Sequence, residues 1–203
     1  INMEKLRVFV GWDPREIGAH DVAVNSMRLR TDSAEIFSIS RFCIPFLTKG
    51  WAVFTDSDVV CLTDIAKIME SADDKYAVMC VKHDYVPKEK IIHVNMQQTT
   101  YFRKNWASVM LINCDHPAHK NLTKEMLNTL PGRELHRFCW LKDEEIGELS
   151  PEWNHLVNVN PPIDKINIAH STLGGPWVPG WTPSRLDEIW NEEYVKFQDK
   201  QLA

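Results

Sequence analysis

The run Trp51-Ala52-Val53-Phe54-Thr55-Asp56-Ser57-Asp58 decides the fold: apolar, aromatic and β-branched residues lead straight into two carboxylates one residue apart. Strand residues two apart point the same way, so where the chain leaves a sheet both carboxylates can converge on one hard divalent cation that also takes phosphate oxygens. An isolated Asp-x-Asp also occurs as an ordinary acidic turn closing a strand. The surroundings favour the cation here, since Val59-Val60-Cys61-Leu62 and the helix-like Thr63 to Glu70 follow at once.

Outward from this point the chain alternates strands and helices. Leu6 to Val10 reads as a short strand, which Gly11-Trp12-Asp13-Pro14-Arg15 turns into a helix ending near Leu29. Tyr76 to Val81, Ser108 to Cys114 and Ile166 to Ala169 read as further strands, and Asn121 to Leu130 and Pro183 to Phe197 as helices. Elements interleaved in this way predict an α/β fold, a single mainly parallel sheet flanked by helices with ligands at the carboxyl ends of the strands. Thr31 to Ser40 is too short for the second strand and helix of such a sheet. Either the fold is trimmed there or residues are absent between Leu29 and Phe42, and a numbering that begins at Ile1 favours absent residues.

At 203 residues and 44% hydrophobic, the chain can bury one sizeable core. A formal charge of -5 without a Lys/Arg block excludes a general nucleic-acid binder, and any phosphate bound is expected to be metal-bridged. No apolar run reaches the roughly 18 residues of a bilayer span, and no transmembrane or signal segment is expected. The cysteines at 43, 61, 80, 114 and 139 are odd in number, widely spaced and mostly in apolar surroundings. They read as reduced core residues, which together with the missing signal predicts a cytoplasmic protein.

Three segments join the carboxylates as site candidates. Gly11-Trp12-Asp13 ends the first strand with a bare backbone and a broad aromatic face suited to a nucleobase; a plain β-to-α turn with a core tryptophan is the structural alternative. Arg41, before Phe42, could reach a diphosphate or sugar, or be a solvated helix-start residue. In Ala169-His170-Ser-Thr-Leu-Gly174-Gly175-Pro176-Trp177 an imidazole at a strand end precedes a glycine pair whose N–H groups can approach phosphate. His170 is therefore the candidate third metal ligand.

Taken together, Asp56-Ser57-Asp58, Val109-Met-Leu-Ile-Asn113, Leu149-Ser-Pro-Glu-Trp153-Asn154 and His170 with Gly174-Gly175-Pro176-Trp177 resemble the family 8 nucleotide-sugar glycosyltransferases. That group includes glycogenin and bacterial lipooligosaccharide galactosyltransferases. The resemblance runs from Val8 to Trp177, and the wording around Lys82 to Tyr85 and Arg103 to Trp106 is similar to bacterial and large algal-virus (chlorovirus) members, which would place a viral protein in the host cytoplasm. It implies a single GT-A domain over 1–203, with 1–114 binding the nucleotide sugar and 115–203 forming the acceptor side. It implies a Mn²⁺ cofactor, with Mg²⁺ as the alternative, a UDP-sugar donor, an oligosaccharide or glycoprotein acceptor, and transfer with retention.

By the same resemblance Asp56, Asp58 and His170 hold the metal. Gly11, Trp12, Asp13, Arg41, Asp56, Ser57, Gly174, Gly175 and Trp177 hold the nucleotide, and Lys82, Asp84, Asn105 and Ser108 the donor sugar. Asp143 and Glu144 stand where the family has a carboxylate-and-amide pair beneath the anomeric carbon. The chain departs from the family pattern at Lys142-Asp-Glu-Glu-Ile-Gly147, which is more acidic, at Gly175, where a lysine is usual, and at Ser108, where glycine is common.

The residue types agree with this chemistry. Cleaving a sugar–diphosphate bond builds negative charge on the leaving group, which a divalent ion stabilises. Two aspartates with one histidine suit Mn²⁺ better than Mg²⁺, since imidazole is a softer donor. Asp143 or Glu144 could act as nucleophile or as electrostatic support for an oxocarbenium-like centre. UDP-glucose, UDP-galactose and UDP-rhamnose are all compatible donors. Phe54-Thr-Asp-Ser-Asp-Val-Val60 also fits the Asp-x-Asp-x-[Thr/Val] pattern of haloacid-dehalogenase-type phosphatases, and a non-catalytic sugar-nucleotide-binding module is a further alternative.

Overall fold

The computed structural model describes residues 5–13, 16–39, 41–84, 101–178, 181, 183 and 187–202. In chain order these form β1 (Leu6–Gly11), α1 (Ile17–Arg28), β2 (Ala34–Ile39), α2 (Ile44–Leu47), β3 (Trp51–Thr55), β4 (Val59–Cys61) and β5 (Val78–Cys80). There follow β6 (Val109–Asn113), α3 (Lys124–Thr129), α4 (Gly132–His136), β7 (Ile146–Glu148), β8 (His155–Leu156), β9 (Ile168–His170) and α5 (Asp187–Leu202). Short 3₁₀ turns at Arg41–Cys43, Ile65–Ser71, Trp106–Ser108, Asp143–Glu145 and Pro151–Asn154 lead into or out of these elements.

Six strands form the main sheet in the order β2-β1-β3-β6-β5-β7. Pairings β1–β2, β1–β3 and β5–β7 are parallel, whereas β6 runs antiparallel to both β3 and β5. This is the mixed, mostly parallel α/β sheet expected. Thr31 to Ser40 holds more than its length suggested: Ala34–Ile39 is a full parallel partner of β1, and the chain passes from it to the turn at Arg41 without a helix between.

Period-two alternation sends the side chains of each strand to opposite cores. Ala52, Phe54, Met110 and Ile112 face one cluster closed by Phe138, Trp140 and Leu122. Val53, Val109 and Leu111 face the other, closed by Ala23, Val24 and Met27 of α1 and by Ile65, Ile68 and Trp153. Covering both faces explains why these strands read as continuous apolar runs, each large side chain contributing roughly 1.5–3 kcal/mol by burial. Trp140, Trp153 and Trp190 are core residues.

The strands do not all join the single sheet expected: β4-β9-β8 form a second, smaller sheet, and it positions the site. Antiparallel pairing sets Val59 opposite His170, and parallel pairing sets Leu156 beside His170. Residues from three distant parts of the chain thereby meet one residue beyond Asp58. Helix α5 is tied to α1 by Arg30, which donates from Nη1 to Glu193 Oε2 at 2.9 Å and from Nη2 to Oε1 at 2.5 Å. Among the described residues no helix is long and apolar enough to cross a membrane.

Candidate metal and donor site

Asp56 and Asp58 leave the carboxyl end of β3, and His170 ends β9 on the neighbouring sheet. One ligand atom from each of the three lies within 4.8 Å of the others. Donors bound to one cation at about 2.1 Å stand up to about 4.2 Å apart, so small side-chain rotations close the set. The backbone holds it from both sides: Asp56 N–H donates to Ser108 O at 2.8 Å, and Ser171 N–H to Asp58 O at 2.8 Å. His170 Nε2 faces Asp58 Oδ1 at 3.4 Å.

Arg41 braces the first carboxylate. Its Nη2 pairs with Asp56 Oδ1, its Nη1 donates to Ala107 O at 3.1 Å, and its guanidinium lies 4.9 Å from the centre of the Phe54 ring. Burial pushes the Asp56 carboxyl up to about 6, against the lowering pull of Arg41 and with a further push from Asp58. Burial lowers the His170 imidazole, but the charge and hydrogen bond of Asp58 outweigh it and hold the ring above its ordinary value.

The cluster opens into a cavity of about 330 Å³. Of the residues singled out in the sequence, Gly11, Trp12, Asp13, Arg41, Asp56, Ser57, Asp58, Asn105, Ser108 and His170 line it. Gly11 sits close against β3: a Cβ there would meet Phe54 Cζ at 3.3 Å and Thr55 O at 3.6 Å.

The others are placed elsewhere. Gly174 (φ 112°) spends its N–H on Ser171 O at 2.8 Å within a turn. Gly175 lies beneath the ring of Trp177, and that ring packs at 5.3 Å on Trp190 of α5 instead of lining the cavity. Lys82 lies over the Trp106 ring, and Asp84 is exposed. Asp143 and Glu144 are also exposed and outside the lining, with Asp143 paired to Arg103. Their turn enters β7 from the end paired with Val78, whereas Cys80 and Glu148 mark the cluster side of that edge.

Tyr101, Lys104 and His136 line the cavity without any local signal in the sequence. The Tyr101 hydroxyl contacts His136 Nδ1 at 3.2 Å, and Lys104 Nζ lies 5.0 Å from the Tyr101 ring centre. Burial, with the charges of Arg41 and Lys104, pushes His136 down to about 3, so it is neutral at physiological pH.

No family model matches the chain. Protein CDI of Arabidopsis thaliana is 40% identical to it over 232 residues, covering 96% of this chain and 89% of the plant protein. The chain belongs to the CDI family. The alignment is longer than the 203 residues of this chain, so the plant member carries residues that have no counterpart here. Among solved structures, the glycosyltransferase GlyE of Streptococcus pneumoniae matches with a TM-score of 0.69 at 14% identity, covering 98% of this chain. The match spans 63% of GlyE, less than two thirds of its length. The galactosyltransferase LgtC, solved with donor and acceptor sugar analogues, matches with a TM-score of 0.58 at 10% identity over 94% of this chain and 96% of its own. At these identities the likeness is one of fold, and the fold of this CDI-family chain is the GT-A fold of the glycosyltransferases. A haloacid-dehalogenase-type phosphatase has no footing on it.

Proposed function

We propose that the protein is a family 8-like glycosyltransferase that moves a sugar from a UDP-sugar to a glycan or glycoprotein acceptor in the cytoplasm, with divalent-metal dependence and retention of configuration. The observation that carries this is the convergence of Asp56, Asp58 and His170 in the wall of a cavity on the carboxyl side of a GT-A sheet. Residues 1–114 form the donor-binding part and residues 115–203 the acceptor side.

The donor set fits Mn²⁺, with Mg²⁺ second: two carboxylates and one imidazole converge, with Asn154 occupying His170 Nδ1 and leaving Nε2 toward the carboxylates. When bound, the ion supplies charge stabilisation to the departing diphosphate. The chain's own groups do the rest. Trp12, 52% exposed at the rim, offers a ring face to the base. Arg41 keeps Asp56 in place and adds positive charge beside the phosphates. The Asn105 amide, buried without a partner among the described residues and held at φ 65°, is a donor ready for a sugar hydroxyl. Lys104 lines the same space and supplies a cation where Gly175 replaces the lysine usual in the family. The roles of Asp143 and Glu144 at the anomeric carbon rest on the family resemblance.

The test is UDP release from UDP-glucose, UDP-galactose and UDP-rhamnose with Mn²⁺, against a chelated control. Release with one donor, abolished by the chelator, is expected. UDP binding without release from any donor would instead make the protein a sugar-nucleotide-binding module.

A further inference from the structure

We propose that Asn154 is the positioning residue of the metal site: its amide oxygen fixes which nitrogen of His170 is left for the cation. The inference rests on the metal reading above and adds a residue to it.

His170 is 2% exposed and Asn154 is fully buried, so neither can exchange its partner for water. His170 Nδ1 lies 2.9 Å from Asn154 Oδ1, while Nε2 points at Asp58. The orientation of the amide is decided by what lies behind it. Asn154 Nδ2 donates to Asn105 O at 3.3 Å, and turning the amide over would set its oxygen against that carbonyl. With Oδ1 toward the ring, Nδ1 must carry a proton and donate it. Nε2 is then the nitrogen whose lone pair can serve a metal. A histidine ligand whose second nitrogen is held by a buried acceptor has its tautomer and ring plane set in advance, and removing such a partner costs about 10–100-fold in metal affinity.

The same amide reaches further. Asn105 O also accepts from Ser108 Oγ at 2.6 Å, and Ser108 O accepts the Asp56 N–H at 2.8 Å. His170 and Asp56, 114 positions apart in the numbering, are thus fastened to one stretch, 105–108, which itself lines the cavity. Asn154 holds the histidine at the far end of that chain of hydrogen bonds. It does not line the cavity, so it acts on the metal through His170.

The experiment uses the full chain and Mn²⁺ alone, with bound metal read from loss of the free-ion electron paramagnetic resonance signal. Asn154→Leu is expected to weaken Mn²⁺ binding about 10–100-fold. Leucine binding within twofold of wild type overturns the proposal. Nitrogen-15 shifts of the His170 ring in the wild type decide it independently of any variant that fails to fold: a protonated Nδ1 is expected, and a bare Nδ1 overturns it. A wild-type chain that shows the protonated Nδ1 but binds no Mn²⁺ strikes the metal reading while leaving the orientation of His170 by Asn154 standing.

Discussion

Acidification from pH 7 to 4.5 puts two partly buried histidines at odds with the fold. Burial, reinforced by Arg41 and Lys104, lowers His136 to about 3, and burial, reinforced by His170 and His155, lowers His83 to about 4. In the unfolded chain both titrate near 6.5. Between these values the unfolded state binds more protons than the folded one, so stability falls as pH falls, starting near 6.5 and levelling off only below the folded values. At pH 4.5 the unfolded value is about two units away, and 1.36 kcal/mol per unit gives about 3 kcal/mol for His136 and slightly less for His83. Against a total of roughly 5–15 kcal/mol, that loss is visible in a urea melt followed by tryptophan fluorescence. His136→Gln removes one of the two groups, so the stability difference between pH 7 and pH 4.5 should shrink by about 3 kcal/mol relative to wild type. Comparing slopes cancels both the carboxylates common to the two proteins and the lost contact with Tyr101. An unchanged pH slope in His136→Gln would refute the reasoning, because the imidazole would then already be charged or solvated in the fold.

Asp58→Ala should abolish donor turnover while the melting temperature stays near wild type, since the strand-end link from Ser171 N–H goes to the backbone of Asp58. Activity above about a tenth of wild type, a barrier change under roughly 1.4 kcal/mol, would remove Asp58 from the metal site. Asp143→Asn and Glu144→Gln should cut turnover far more than UDP affinity if they act at the sugar; equal losses in both, or none, would leave the turn a surface element paired to Arg103. Arg30→Ala leaves the 2%-exposed Glu193 with Lys196 as its remaining ion-pair partner among the described residues and should cost about 1.5–3 kcal/mol, a fall of roughly 3–12 °C in Tm. Adding Glu193→Leu should recover most of it, and a loss that persists in the double variant would mean that packing, not charge, joins α1 to α5.

Long strands and the paired carboxylates were legible because they are local. Four successive apolar residues and a β-branched threonine leading into Asp56-Ser57-Asp58 can be read without knowing what they touch. His170 was legible as a strand-end imidazole beside glycines. The three-residue β7 and the two-residue β8 carry too few positions for a periodicity, and only their partners make them strands. β2 was hidden by a length argument that assumed a following helix. Tyr101, Lys104 and His136 reach the cavity by tertiary packing, and no spacing links them to the carboxylates. Asn154 lies in the Leu149 to Asn154 motif, but its contact is with a ring 16 positions away brought alongside by β8 and β9. Trp177 sits where its motif put it in the chain, yet the aromatic face of Trp190 claims its ring.

The reversed strand β6 has a consequence for anyone dividing this chain. It is the sole partner of β3 on one side, in register from Trp51–Asn113 to Thr55–Val109. A fragment that stops before Val109 leaves Trp51-Ala-Val-Phe-Thr55 with an open row of backbone donors and acceptors. That five-residue stretch has high strand propensity, no charge and no proline, the composition of a sequence that pairs with copies of itself. Expression of the donor half therefore has to run through Asn113, and a shorter product should be recovered from the insoluble fraction.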